Sequence, residues 1–371
     1  MRFIPDVGTY LPILLATFAV AGLLAVLLTP RIRALALRHE VLDTPNQRRV
    51  NLRPVPRAGG VAVAAGFAVV VIAFVLLDPD GETVRRPIFL EETELLALLL
   101  GGLLAAVIGA LDDWFDLRAR WQLAGQFALA LFAVAFGIGV GAINNPFGPG
   151  VIAFEGLFAA GFTIVWIVGM INSINFIDGL DGLSSGIALI AAATLGVISL
   201  TTQIAQPFIA VLCFTLAGAL LGFLRWNFHP AAIFAGTSGV MFVGYTLAVL
   251  SILGSAKVAI AVLVLAVPII DTFWIIVRRL ASGRSPFTPD RGHIHHRLLD
   301  LGLSHRQTVL LIYAICAALG ALSLVLSGAN QVYAFLGVLV GFGLILLLLT
   351  RGAAEDALEA GSYEEDPAGR T

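Results

Sequence analysis

Four short polar segments hold nearly all the residues of this chain that are able to do phosphate or metal chemistry. The first, Asp43 to Gly60, reads DTPNQRRVNLRPVPRAGG. It carries an Asp, two Asn, and arginines 48, 49, 53 and 57, whose planar forks of donors match phosphate oxygens. The same arginines would also anchor a loop at anionic lipid headgroups. The second is GALDDWFDLRAR, with Asp112, Asp113 and Asp116. In a helix Asp112 and Asp116 would share a face, and close carboxylates repel unless a cation or a proton sits between them. That predicts a Mg²⁺ site or a general base. The third, NSINFIDGLDGLSSG, places Asn172, Asn175, Asp178 and Asp181 three residues apart. These are hard oxygen donors, with glycines that allow unusual backbone geometry. The fourth, DRGHIHHR, holds Arg291, His293, His295, His296 and Arg297. Such a cluster binds metal or hydrogen-bonds phosphate; with no HExxH, a zinc protease is excluded. A fifth stretch, Gly236-Thr237-Ser238-Gly239, could offer N–H groups to an anion or be a plain tight turn.

The elements that must position these segments are apolar. Of 371 residues, 59% are hydrophobic and 12% charged, against about 25% charged in a soluble domain. Apolar runs lie near 9–29, 59–77, 95–111, 121–141, 151–171, 183–200, 207–224, 239–254, 258–277, 307–327 and 332–350. A span needs about 20 residues, and in lipid only helices or closed barrels satisfy the backbone. The runs are too long and uniform for barrel strands. The prediction is an all-α polytopic membrane protein of about eleven helices. The first run is read as a retained helix, because it is too long for a signal peptide. Aspartates at a helix centre cost about 2.5–3.5 kcal/mol each on insertion scales, so the third span should end near Leu111.

Arginine is asymmetric. The loops after the first and ninth runs are Arg-rich, and with eleven spans they share a side with Arg118, Arg120 and Arg225. That side should be cytoplasmic, with the N-terminus outside and the C-terminus inside. Residues 1–350 would form the transmembrane catalytic domain. The acidic stretch 351–371 reads as a disordered cytoplasmic tail. Cys213 and Cys316 fall inside apolar runs and are read as core residues. The net charge of −2 gives no nucleic-acid signal. Ionisable residues are scarce inside the runs, Asp271 being the main exception. That disfavours a proton-coupled transporter, the rival class.

The blocks DDWFDL, NFIDGLDGL and GHIHHRLLDLGLSHRQ, in this order and spacing, resemble the bacterial polyprenyl-phosphate N-acetylhexosamine-1-phosphate transferases. These belong to the superfamily of phospho-N-acetylmuramoyl-pentapeptide transferase, and the resemblance covers about residues 9–350. It implies an inner-membrane enzyme that transfers a sugar-1-phosphate, with GlcNAc-1-phosphate the expected one, from a UDP-sugar to undecaprenyl phosphate. UMP would be released in the first membrane step of an envelope glycan such as lipopolysaccharide or teichoic acid. It implies Mg²⁺, with Mn²⁺ as a substitute, and is compatible with a homodimer. By resemblance, Asp112, Asp113, Asp178, Asp181 and His295 are catalytic. Arg49, Asp116, Asn172, Arg291, His293 and His296 bind substrate, and Asn175, Asp112, Asp113 and Thr237 face the metal.

The chain departs from the family at several points. Family members usually carry a Mg²⁺-binding Asp where Thr237 stands. Val240 replaces a common Ser, Asn51 a common His, and Arg49 stands where Lys is frequent. A rival reading follows: a homologue that binds lipid phosphate or nucleotide sugar without turnover.

Overall fold

The computed structural model describes residues 2–44, 53–78, 81, 83–84, 90–145, 150–253, 257–283, 285, 292–326 and 328–344. Arg49, Asn51, Arg291 and the stretch 351–371 lie outside the described residues. Each of the eleven apolar runs overlaps a helix or a bent helix pair. They are α1 (Val7–Arg38), α2 (Gly60–Leu77), α3 (Glu92–Phe115), α4 (Ala119–Ala135), α5 (Gly156–Ile177), α6 (Leu183–Ser199) and α7 (Pro207–Asn227). Then follow α8 (Gly236–Ile252), the pair α9 (Lys257–Val264) and α10 (Ala266–Ala281), α12 (His305–Val325) and α13 (Ala329–Leu344). The short α11 (Ile294–Asp300) sits between α10 and α12.

Six of these helices are long and apolar enough to cross a membrane, or seven counting the ninth run, which bends by 77° between α9 and α10. The helices α6, α8 and α13 are apolar but shorter. Among the described residues, β structure is confined to two antiparallel ribbons and one isolated bridge. The ribbons pair β1 (Leu42–Asp43) with β2 (Val55–Pro56) and β3 (Ala142–Asn144) with β4 (Val151–Ala153). The fourth and fifth runs are therefore helical only in part, and β3 and β4 turn back on each other between α4 and α5.

Burial separates inner from outer helices. Nearly every residue of α8 is buried, and α7 is buried over most of its length. The first helix instead exposes Leu15, Leu23 and Leu27, and α5 exposes Leu157, Phe158 and Val165. An outward apolar surface of this kind is solvated by lipid tails, which remove the penalty water would impose. Thr29 and Thr215 return their hydroxyls to the preceding turn, to Ala25 and Val211, which satisfies donors that would otherwise face hydrocarbon.

One expectation is overturned. The third span does not end near Leu111; α3 continues to Phe115 and carries Asp112 and Asp113 inside it, 4% and 1% exposed. The insertion cost assumed that the carboxylates would meet hydrocarbon. They meet hydrogen-bond donors instead. Asp116 leaves the helix in the left-handed region, φ 47°, and its side chain is 79% exposed. Asp112 and Asp116 thus do not form the paired face that helical spacing suggested.

Candidate active site

The polar segments meet at one end of the bundle. The C-terminal ends of α3, α5 and α7 arrive there, and α2, α6, α8 and α12 start there. Backbone bonds tie the first loop to the α7–α8 connection: Phe234 donates to Pro56, Gly59 to Phe234, and Gly60 to Ala235. Between these ends lies a cleft of about 250 Å³ lined by Asp43, Arg57, Asp113, Asn175, Asp178, Asp181, Asn227, Thr237, His296 and His305, among others.

Asp113 is fixed by the start of α8. Its oxygens accept the N–H groups of Thr237 at 2.8 Å and Ser238 at 3.0 Å. The residue before α8 is Ala235, whose methyl cannot cap a helix, and Asp113 supplies the missing acceptor from α3. Gly236 adopts φ 70° to present these groups, a region only glycine enters without strain. Asp112, one residue earlier, points elsewhere. It accepts Leu117 N at 3.0 Å, Gln122 Nε2 at 2.8 Å and the Thr237 hydroxyl at 2.5 Å. Asp116 pairs with the Arg57 guanidinium at the exposed edge.

Asp178 follows α5 directly, and Ser184 donates to it. Burial pushes its carboxyl up to about 6; the Ser184 bond opposes this, while the nearby charges of Asp113 and Asp181 add to it. Asp181 meets His229 Nδ1 at 2.7 Å and accepts Ala231 N at 3.0 Å. The histidine segment is anchored by Asp271 of α10, which meets His293 Nδ1 at 2.7 Å and accepts Ile294 N at 2.9 Å. His295 is 1% exposed, stacked against His293 with centroids 5.5 Å apart and beside His296 at 4.4 Å. Burial, and then its histidine neighbours, lower its pKa well below the usual value, so it is neutral at pH 7.

With this geometry in place, the relatives can be compared. Residues 95–255 match Glycosyl transferase family 4. A Bacillus subtilis protein described as a probable undecaprenyl-phosphate N-acetylglucosaminyl 1-phosphate transferase is 34% identical, covering 85% of this chain and 86% of its own. The decaprenyl-phosphate N-acetylglucosaminephosphotransferase of Mycolicibacterium smegmatis is also 34% identical, over 93% and 90%. The undecaprenyl-phosphate alpha-N-acetylglucosaminyl 1-phosphate transferase of Yersinia pestis is 30% identical, over 79% of each. The chain belongs to the polyprenyl-phosphate N-acetylhexosamine-1-phosphate transferase family.

Within this family member the sequence-expected residues divide into two layers. Asp113, Asn175, Asp178, Asp181, Thr237 and His296 line the cleft together. Asp112, His293 and His295 stand behind it. Asn172 points into the helix packing, donating to Gln126 Oε1 at 2.6 Å and Val168 O at 2.8 Å. Sequence reasoning named Arg57 and Asp43 only as members of the first loop's polar set, and gave no role to Asn227, His229 or His305. His305 lies in the block that carries the family resemblance. His229 gave no signal beyond being one of six histidines.

Proposed function

We propose that this chain transfers N-acetylhexosamine-1-phosphate, with UDP-N-acetylglucosamine as donor, to undecaprenyl phosphate and releases UMP. The observation that carries this reading is the cleft itself. It brings Asp113, Asn175, Asp178 and Asp181 together with Arg57, His296 and His305 at one end of an apolar bundle. The names of the relatives supply the substrate class. A site at one end of the bundle suits a lipid nucleophile held at headgroup depth and a soluble nucleotide.

In this reading an oxygen of the lipid phosphate attacks the sugar-bearing phosphorus. The bond from that phosphorus to the bridging oxygen breaks, and UMP leaves. Asp113 lines the cleft and is the group placed to take a proton from the lipid phosphate. Asp112 is committed to Leu117, Gln122 and Thr237, so its role is to position. Arg57 and His296 would hold phosphate oxygens, and fixed placement of both anions would align the attack. Asp113, Asn175 and Asp178 suit the Mg²⁺ that the resemblance implies. They are hard oxygen donors, and the charges of Asp113 and Asp181 add to the upward shift that burial gives the Asp178 carboxyl. Bound there, the ion would neutralise charge on the donor diphosphate. In this reading the site faces the cytoplasm and the N-terminus lies outside, which the arginine bias supports.

Thr237 favours a second reading, a binding protein without turnover, because its hydroxyl donates to Asp112 where the family usually has a metal-binding carboxylate. One assay separates the two. Purified protein with Mg²⁺, UDP-N-acetylglucosamine and undecaprenyl phosphate should release UMP, and leaving out the lipid should abolish release. Tight binding of the nucleotide sugar without UMP under any Mg²⁺ condition would establish the second reading instead.

A further inference from the structure

At the rim of the cleft, Asp181, His229 and His305 converge from three separate stretches: the α5–α6 turn, the α7–α8 connection and the first residue of α12. One ligand atom from each lies within 4.8 Å of the other two. His229 Nδ1 is 2.7 Å from Asp181 Oδ2. The rings of His229 and His305 stack with centroids 4.1 Å apart and planes 21° apart. The cluster is braced from outside: the Ala231 N–H holds Asp181, and the Arg306 guanidinium donates to the His229 carbonyl at 3.1 and 3.3 Å. His305 Nε2 is buried and has no hydrogen-bond partner among the described residues. A buried nitrogen left this way is costly unless something accepts or donates to it.

We propose that Asp181, His229 and His305 bind one divalent transition-metal ion of the Zn²⁺ class. This site is distinct from the all-oxygen group of Asp113, Asn175 and Asp178. Two imidazoles and one carboxylate form a borderline-soft donor set that prefers Zn²⁺ or Co²⁺ to Mg²⁺. Metal–ligand bonds of about 2.0–2.2 Å require the 2.7 Å approach of His229 Nδ1 to Asp181 Oδ2 to open slightly and the two stacked imidazoles to turn toward a common point. Three protein ligands leave a fourth position open. Asp181 and His305 both line the cleft, so that position faces the cleft and can take water or a phosphate oxygen. The ion would also clamp the α5–α6 turn, the α7–α8 connection and α12 together, which stabilises the rim by mass action when the metal is present.

The test uses the full chain in detergent, stripped with EDTA, and needs neither nucleotide sugar nor lipid, so it stands or falls separately from the transferase reading. Co²⁺ is titrated while its visible ligand-field absorption is followed. One equivalent should bind, Zn²⁺ should displace it and excess Mg²⁺ should not. His229→Ala and His305→Ala should each weaken binding by at least about 100-fold, the upper scale for loss of even an outer-shell partner. His296→Ala should leave the Co²⁺ band in place. Zn²⁺ should raise the unfolding temperature of the stripped protein, and should not do so in His229→Gln, a milder variant whose folding is checked by a single elution peak. Absence of a Co²⁺ band at millimolar metal overturns the proposal. So does binding that survives the His229→Ala/His305→Ala double variant, or binding lost equally in His296→Ala, which would move the site to the histidine segment.

Discussion

Asp113 and Asp271 are both buried on apolar helices, and both accept backbone N–H groups at the start of another helix, α8 for Asp113 and α11 for Asp271. The capping chemistry is the same, yet the surroundings differ. Asp113 borders a cleft shared with Asp178, Asn175 and Arg57. Asp271 is not among the residues lining the cleft, and its other oxygen is taken by His293 Nδ1 at 2.7 Å. Burial and capping therefore do not distinguish a carboxylate that borders the cleft from a strut. The distinction lies in what faces the carboxylate: an open volume with other charges, or an imidazole that closes it off.

The largest effect should come from Asp113→Asn. UMP release should fall by at least about 10²-fold, the scale of a lost base or charge-positioning group. Because Asp113 holds two backbone N–H groups, the variant should also lose about 1–3 kcal/mol of stability, visible as a lower unfolding temperature. Asp271→Asn should reverse the emphasis. It should cost about 1.5–3 kcal/mol, typical for hydrogen bonds to a charged group, with a smaller loss of turnover that comes from a loosened α11. Equal collapse of turnover in both variants, with Asp271→Asn unfolding like the wild type, would dissolve the contrast. The smallest effect concerns Thr237, which joins the two aspartates of α3 to α8. Thr237→Asp should lower the Mg²⁺ needed for half-maximal UMP release about tenfold, equivalent to about 1.4 kcal/mol of metal binding. An unchanged midpoint in a Mg²⁺ titration would show that position 237 does not face the ion.

The sequence made the membrane class legible because lipid tolerates few backbone solutions, and each apolar run duly overlaps a helix. The gathering of the polar segments was legible too, since charge excluded from the spans must collect at their ends. Which member of each pair faces the cleft was not. Asp112 and Asp113 are neighbours of one type, and only the start of α8, 124 residues away from Asp113 in sequence, tells them apart. The end of α3 was misplaced for the same reason: the cost of burying a carboxylate depends on donors that come from elsewhere in the chain. His295 looks like an exposed member of a histidine run, but in the fold it occupies the space beside Gly179. Its burial follows from Asp271 drawing α11 inward.

Gly109 lies one turn before Asp113 on α3, against the start of α8. A side chain there would overlap the backbone of Thr237 and Ser238. The gap admits hydrogen and nothing larger, so evolution has no graded path through this position. Alanine, the smallest step, already forces the α8 turn to retreat and takes the two N–H groups away from Asp113. Positions 109 and 236–238 should therefore vary only in concert, and the freedom to alter the chemistry at Thr237 is set in part by a residue on another helix that carries no chemistry of its own.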